Sequence, residues 1–143
     1  MNIRAFNLRP KLGPKNFEIV QKMFTTEVPE LYKQYLIQYA GCSIKEDTFT
    51  DNAGCKWILA SFSNSSDIMN LPKEFKTAGW GDWIVFGYDE GGWHYCINMS
   101  TTENYNSVFI NRWTDHEPEN QFVKIADSFE EFMQGLQEDN KRL

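Results

Sequence analysis

Residues 80–99 constrain this chain more than any other stretch: Trp-Gly-Asp-Trp-Ile-Val-Phe-Gly-Tyr-Asp-Glu-Gly-Gly-Trp-His-Tyr-Cys-Ile-Asn-Met. Two apolar runs flank a polar, glycine-bearing break at Asp89-Glu90-Gly91-Gly92, the composition of a β-hairpin. Setting Tyr88 opposite Trp93 places Phe86 opposite Tyr95 and Ile84 opposite Ile97, so one surface carries only large apolar side chains. The other surface is mixed, with Trp83, Val85, Gly87, His94, Cys96 and Asn98. A hairpin with one fully apolar face needs a layer to cover it, and the rest of the chain must supply that layer.

The remaining sequence has the right pieces. Phe17, Val20 and Phe24 repeat at helical spacing. From Pro29 to Ala40, Leu31, Tyr35 and Tyr39 form one row and Tyr32, Leu36 and Ala40 its neighbour, with Gly41 as the stop. Residues 57–62 read as a strand, 64–67 as a break, and 71–78 as a short helical stretch. Beyond the hairpin, 107–113 and 122–125 read as strands and 114–120 as an acidic loop. Asp127-Ser128-Phe129-Glu130 has the spacing of an aspartate-based capping box, and Phe129, Phe132, Met133 and Leu136 make the apolar side of a closing helix. The expected architecture is a single α+β domain over residues 1–143, an antiparallel meander sheet with helices packed on one side and a C-terminal helix. Residues 1–14 are expected to form an extended arm and 138–143 a frayed tail.

Composition narrows the function classes. A chain of 143 residues with 5 Trp, 6 Tyr and 11 Phe can bury a core without metal or disulfide support. No apolar run approaches the roughly 20 residues that span a bilayer, and residues 1–13 do not look like a secretory signal, so no membrane association and a cytoplasmic location are expected. Cys42, Cys55 and Cys96 are odd in number and lack metal-ligand spacing, which reads as three buried thiols in a reducing compartment. With only His94 and His116 to join them, neither a metal nor a cofactor is expected. Residues 82–131 carry ten acidic side chains against Arg112 and Lys124, which argues against nucleic acid as the ligand and favours a basic partner.

The order of these pieces resembles the SUKH superfamily, the Smi/Knr-like group. The likeness rests on Val28-Pro29-Glu30-Leu31-Tyr32-Lys33-Gln34-Tyr35-Leu36 with Gly41 after it, on the 84–99 hairpin, and on Ile125-Ala126-Asp127-Ser128-Phe129-Glu130-Glu131-Phe132. It runs over about residues 28–136. The resemblance implies a protein-binding module, typically a bacterial immunity protein that holds a toxin, often a nuclease, inactive. Regulatory scaffolds that bind endogenous partners belong to the same group and form the second reading; a small hydrolase is the third.

The candidate partner-binding residues are Trp80, Asp82, Trp83, Asp89, Glu90, His94, Asn98, Asp115, Glu117 and Glu119. Aromatic anchors dominate interface energetics, and Trp80 and Trp83, set among glycines and Asp82, are expected at the surface, whereas Trp93 is expected in the core. Asp89 and Glu90 at the hairpin tip, with Asp115, Glu117 and Glu119 in the next loop, are suited to meet cationic groups on a basic toxin, although such acids also solvate ordinary turns. No catalytic residues are expected. The carboxylates lie in polar loops with nothing apolar to raise a pKa, and His94 and Cys96, two apart on a strand, do not make a nucleophile–base pair.

Overall fold

The computed structural model describes residues 3–6 and 12–139, apart from the side chain of Ile37. In chain order the elements are β1 (Ala5–Phe6), α1 (Pro14–Gln21), α2 (Glu30–Gln38), β2 (Ser43–Ile44), β3 (Thr48–Thr50), β4 (Lys56–Ile58), β5 (Ser61–Phe62), α3 (Ser65–Thr77), β6 (Trp83–Tyr88), β7 (His94–Asn98), β8 (Val108–Asn111), β9 (Phe122–Ala126) and α4 (Phe129–Gln134). Strands β5 to β9 form a five-stranded antiparallel meander in sequence order, and β1–β2 and β3–β4 are separate two-stranded ribbons. This is the expected α+β fold with its C-terminal helix. No helix among the described residues is long and apolar enough to cross a membrane.

Helix boundaries follow local chemistry. Asn64 caps α3, its Oδ1 accepting from Asp67 N at 2.9 Å, so the helix begins inside the 64–67 stretch that reads as a break. Gly41, at φ 77°, ends the turn after α2 in a conformation that favours glycine. The closing helix is capped one residue later than its sequence suggests. Ser128 Oγ accepts from Glu131 N at 3.0 Å while a Glu131 carboxylate oxygen accepts from Asp127 N.

One face of the sheet holds the main core. Ile84, Phe86, Tyr95, Ile97 and Ile110 pack with Val20 of α1, Tyr32, Tyr35 and Leu36 of α2, and Phe129, Phe132 and Met133 of α4. Phe86 touches the rings of Tyr35, Tyr95, Phe129 and Phe132. Strand 57–62 is split at Leu59-Ala60, because β4 pairs with β3 whereas β5 joins the main sheet.

The hairpin register differs from the expected one near its tip. Ile84 lies opposite Ile97 and Val85 opposite Cys96, but Gly87 then pairs with Tyr95 and Tyr88 with His94, leaving Phe86 as the extra residue of a β-bulge. Phe86 and Tyr95 still reach the main core, and the Phe86 carbonyl accepts from Ser63 N (2.9 Å) and Tyr35 OH (2.6 Å). Glycine suits the position after it: a Cβ on Gly87 would lie 2.5 Å from Leu59 Cδ1 and 3.1 Å from the Ser61 carbonyl oxygen. The bulge turns the tip over, so Tyr88 and His94 share the second face of the sheet.

That second face is covered as well. Phe75, Trp83, Val85 and Cys96 form a smaller buried cluster, with Leu71, Trp80, Phe109, Trp113 and Phe122 packed against it. Helix α3 serves both sides, giving Ile68 to the main core and Phe75 to this one. Helices α1, α2 and α4 thus share one side, as expected, while α3 extends to the other.

The ends of the domain are tied together. Within the expected arm, Ala5 and Phe6 pair with Ile44 and Ser43. Arg4 donates to Glu46 through its backbone N–H and its side chain and forms an ion pair with Glu138, so Glu138 and Asp139, which pairs with Lys56, are not frayed. Arm residues 1, 2 and 7–11 and tail residues 140–143 lie outside the described residues. Cys42 and Cys96 are buried, but Cys55 is exposed because it sits in the tight 51–55 turn between β3 and β4.

Candidate partner-binding surface

The tip is built by its own carboxylate. Asp89 Oδ1 accepts from Gly91 N (2.9 Å) and Trp93 N (2.8 Å), and Gly92 sits at φ 92°. Asp89 is therefore partly buried in its turn and mainly structural, whereas Glu90 projects into solvent. Two indoles then lock the tip to the acidic loop. Trp93 Nε1 donates to Asp115 Oδ2 at 2.7 Å, and Trp113 Nε1 donates to the Gly92 carbonyl at 3.0 Å. Glu117 and Glu119 lie in the same loop, exposed and, like Glu90, without an ion pair among the described residues. Arg112, in the same loop, is occupied, donating to the Asn120 carbonyl with its guanidinium 6.0 Å from the Trp93 ring centre.

Trp113 holds this arrangement in a backbone conformation that bulky residues rarely adopt, at φ 55°. Its N–H is taken by Asn111 Oδ1 at 2.8 Å, and Asn111 is fully buried and also receives Gln121 Nε2 at 3.0 Å. Strained backbone persists only where surrounding contacts over-determine it. Here the contacts are the indole hydrogen bond to Gly92 and ring packing on Phe75 (5.6 Å), Trp80 (5.4 Å) and His94 (5.3 Å). Among the sequence candidates, Asp89, Glu90, His94, Asp115, Glu117 and Glu119 are thus gathered at one end of the sheet.

The remaining four are elsewhere. Trp83 is not at the surface: it is 7% exposed, stacked on Phe122 at 4.4 Å, and donates from Nε1 to the Trp80 carbonyl at 2.6 Å. Trp80 is half-buried rather than free, with its ring against Phe75, Trp113 and Phe122. Both were drawn inward by partners remote in sequence, which a local glycine-rich context does not reveal. Asn98 is buried at the opposite end of β7, where its Oδ1 accepts from Ser100 N, and Asp82 lies beside Lys76 at 3.8 Å. Trp93, expected in the core, is partly exposed instead, because the bulge ends the paired strand at His94.

The His94 imidazole lies between Tyr88 (6.3 Å) and Trp113. Burial lowers its pKa, while Asp67, Asp89 and Glu74 pull in the opposite direction. Cys96 offers no nucleophile: it is fully buried, burial pushes its thiol well above the usual range, and its sulfur approaches the His94 carbonyl oxygen rather than the imidazole. Among the described residues no group of three His, Cys, Asp or Glu side chains could hold a metal ion.

Against this geometry stands one match to known proteins. The model of the SMI1/KNR4 family (SUKH-1) covers residues 11–135. The chain belongs to this family. No curated protein sequence matches it significantly. The SUKH-1 match takes in α1 ahead of the Val28–Leu36 motif and closes with α4, so it includes both helices that flank α2 on the main core. All of the tip and the 112–120 loop fall within the SUKH-1 segment, and members of this family are generally immunity-type, protein-binding proteins.

Two parts of the surface escape a sequence reading. Trp113 and Arg112 look like the end of a strand until the backbone turns at Asn111. Asp67 sits on a helix, from which it acts electrostatically on His94, only because α3 starts before the expected 71–78 stretch, for which Asn64-Ser65-Ser66-Asp67, a capping pattern, was the available signal.

Proposed function

We propose that this protein is a bacterial immunity protein, acting in the cytoplasm, that neutralises a basic toxin domain by binding it through the hairpin tip and the 112–120 loop. The observation that carries this reading is the pair of indole hydrogen bonds, Trp93 to Asp115 and Trp113 to Gly92, which hold two acidic segments as one surface. Preorganisation removes the ordering cost that flexible loops would add on binding, and unpaired Glu90, Glu117 and Glu119 supply the field that steers a cationic partner. Family membership supports protein binding in general, and the charge supports a basic partner in particular.

The test is direct. The protein encoded by the neighbouring gene is purified in an inactive form and mixed with this one. A one-to-one complex by size-exclusion chromatography with light scattering is the expected result. Absence of a complex, together with capture of several unrelated endogenous proteins, would favour the regulatory-scaffold reading instead.

A further inference from the structure

We infer that the open edge of β9 receives an extended, basic segment of the same partner as an added strand of the sheet. This rests on the protein-binding reading and carries it from the acidic loop onto the strand that follows. The five-stranded sheet ends at β5 on one side and at β9 on the other. At β5 the chain covers itself, with Phe62 N donating to the Cys42 carbonyl at 2.9 Å and Gly41 N to the Ser63 carbonyl at 2.8 Å. At β9 no described backbone segment pairs with the outer side.

The ladder shows which groups are left over. Arg112 N donates to the Gln121 carbonyl at 2.8 Å, so these two form a hydrogen-bonded pair, and the next pairs are Asn111 with Phe122, Ile110 with Val123 and Phe109 with Lys124. Antiparallel pairs alternate, which turns the backbone of Val123 toward β8 and that of Phe122 and Lys124 outward. Their two N–H and two C=O groups form the array that an added strand uses. The 51–53 turn does not close this edge, since a recess of about 330 Å³ lies between it and residues 124–127.

Charge and side-chain pattern select the occupant. Exposed Glu117 and Glu119 stand before the strand, and exposed Asp127 and Glu130 after it. Lys124, the one cation of β9, is already paired with Asp127 at 2.9 Å. A second copy, in either orientation, would set acidic ends against acidic ends between two chains of net charge −6. Basic side chains at both ends of the added strand meet these acids instead. Phe122 is stacked on Trp83 yet half-buried, so the residue beside it on that face is apolar, giving a basic–apolar–basic segment.

The test is amide hydrogen exchange by NMR on the intact protein, alone and with the inactive product of the neighbouring gene. Alone, Val123 should be protected and Phe122 and Lys124 should exchange fast. In the complex the Phe122 and Lys124 amides should slow by about tenfold or more, an alternating pattern that side-on contact would not produce. Lys124→Pro removes one outward N–H without breaking a ladder bond, and should bind about tenfold more weakly than Lys124→Ala, which keeps it; Val123 protection in the free variants verifies the fold. A complex in which Phe122 and Lys124 exchange as in the free protein, or equal affinities of the two variants, would overturn the inference and leave the tip reading standing. Absence of any complex removes both. Protection at these two amides in the protein alone, with a doubled mass by light scattering, would give the edge to a second copy and also overturn it.

Discussion

Replacing Trp83 by alanine separates a surface tryptophan from a core one. The side chain is 7% exposed, stacked on Phe122 with the planes 9° apart, set edge-on to Phe109 at 5.3 Å, and bonded through Nε1 to the Trp80 carbonyl. Burial of this kind makes Trp→Ala cost about 3–5 kcal/mol. The value should fall near the lower end, because Phe122 and Phe109 are themselves partly exposed and can settle into the space. Trp83→Phe keeps most of the stacking and loses the indole hydrogen bond, for about 1 kcal/mol. Urea unfolding monitored by far-UV circular dichroism is the assay. With a slope of about 1–3 kcal/mol/M, the alanine variant should shift the midpoint down by about 1–3 M at an unchanged slope. A loss under about 0.5 kcal/mol, the range of ordinary surface substitutions, would show that the second face has no core at Trp83 and refute the two-sided packing.

Two further outcomes follow from the same packing. Gly87→Ala should destabilise by about 1–3 kcal/mol in the same assay, since its Cβ meets the Ser61 backbone as well as the tightly packed Leu59; a neutral result would mean that the bulge is not held as described. For His94 the folded state lowers the pKa, so above about pH 7.5 both states are neutral and the full stability is present, and as pH falls through about 6.5 the unfolded chain takes the proton first. Stability should therefore drop between about pH 7.5 and 5, before the lowered carboxylates of Glu46 and Asp51 contribute their own loss near and below about pH 4. His94→Gln should flatten the upper part of that curve, and coincident wild-type and variant curves would contradict the assignment.

The hairpin, the α2 rows and the closing helix were legible because each is a local pattern whose period and register depend on neighbours in sequence. Ile84 opposite Ile97, and Phe86 and Tyr95 on the core side, are where alternation places them. The tip was not legible, because a bulge is decided by contacts of Gly87 with Leu59 and Ser61, residues about 26–28 positions away. The same limit applies to Trp83 and Trp80, whose burial depends on Phe122 and Phe75. At the candidate surface the acids were visible as charge, but not the indoles that join them. Asp89 looked like Glu90 in sequence and differs from it in structure, because only Asp89 can close the turn with its carboxylate.

The central claim, a preorganised acidic surface that captures a basic toxin, is tested most directly by association kinetics with the neighbouring gene's product. Wild-type protein should associate fast at low salt and progressively more slowly as ionic strength rises. Glu90→Lys, Glu117→Lys and Glu119→Lys combined should reduce the association rate about tenfold or more at low salt, with an unchanged melting temperature, since all three side chains are exposed. A salt-independent rate, or one that the triple variant does not alter, would contradict the account and place the partner on another face.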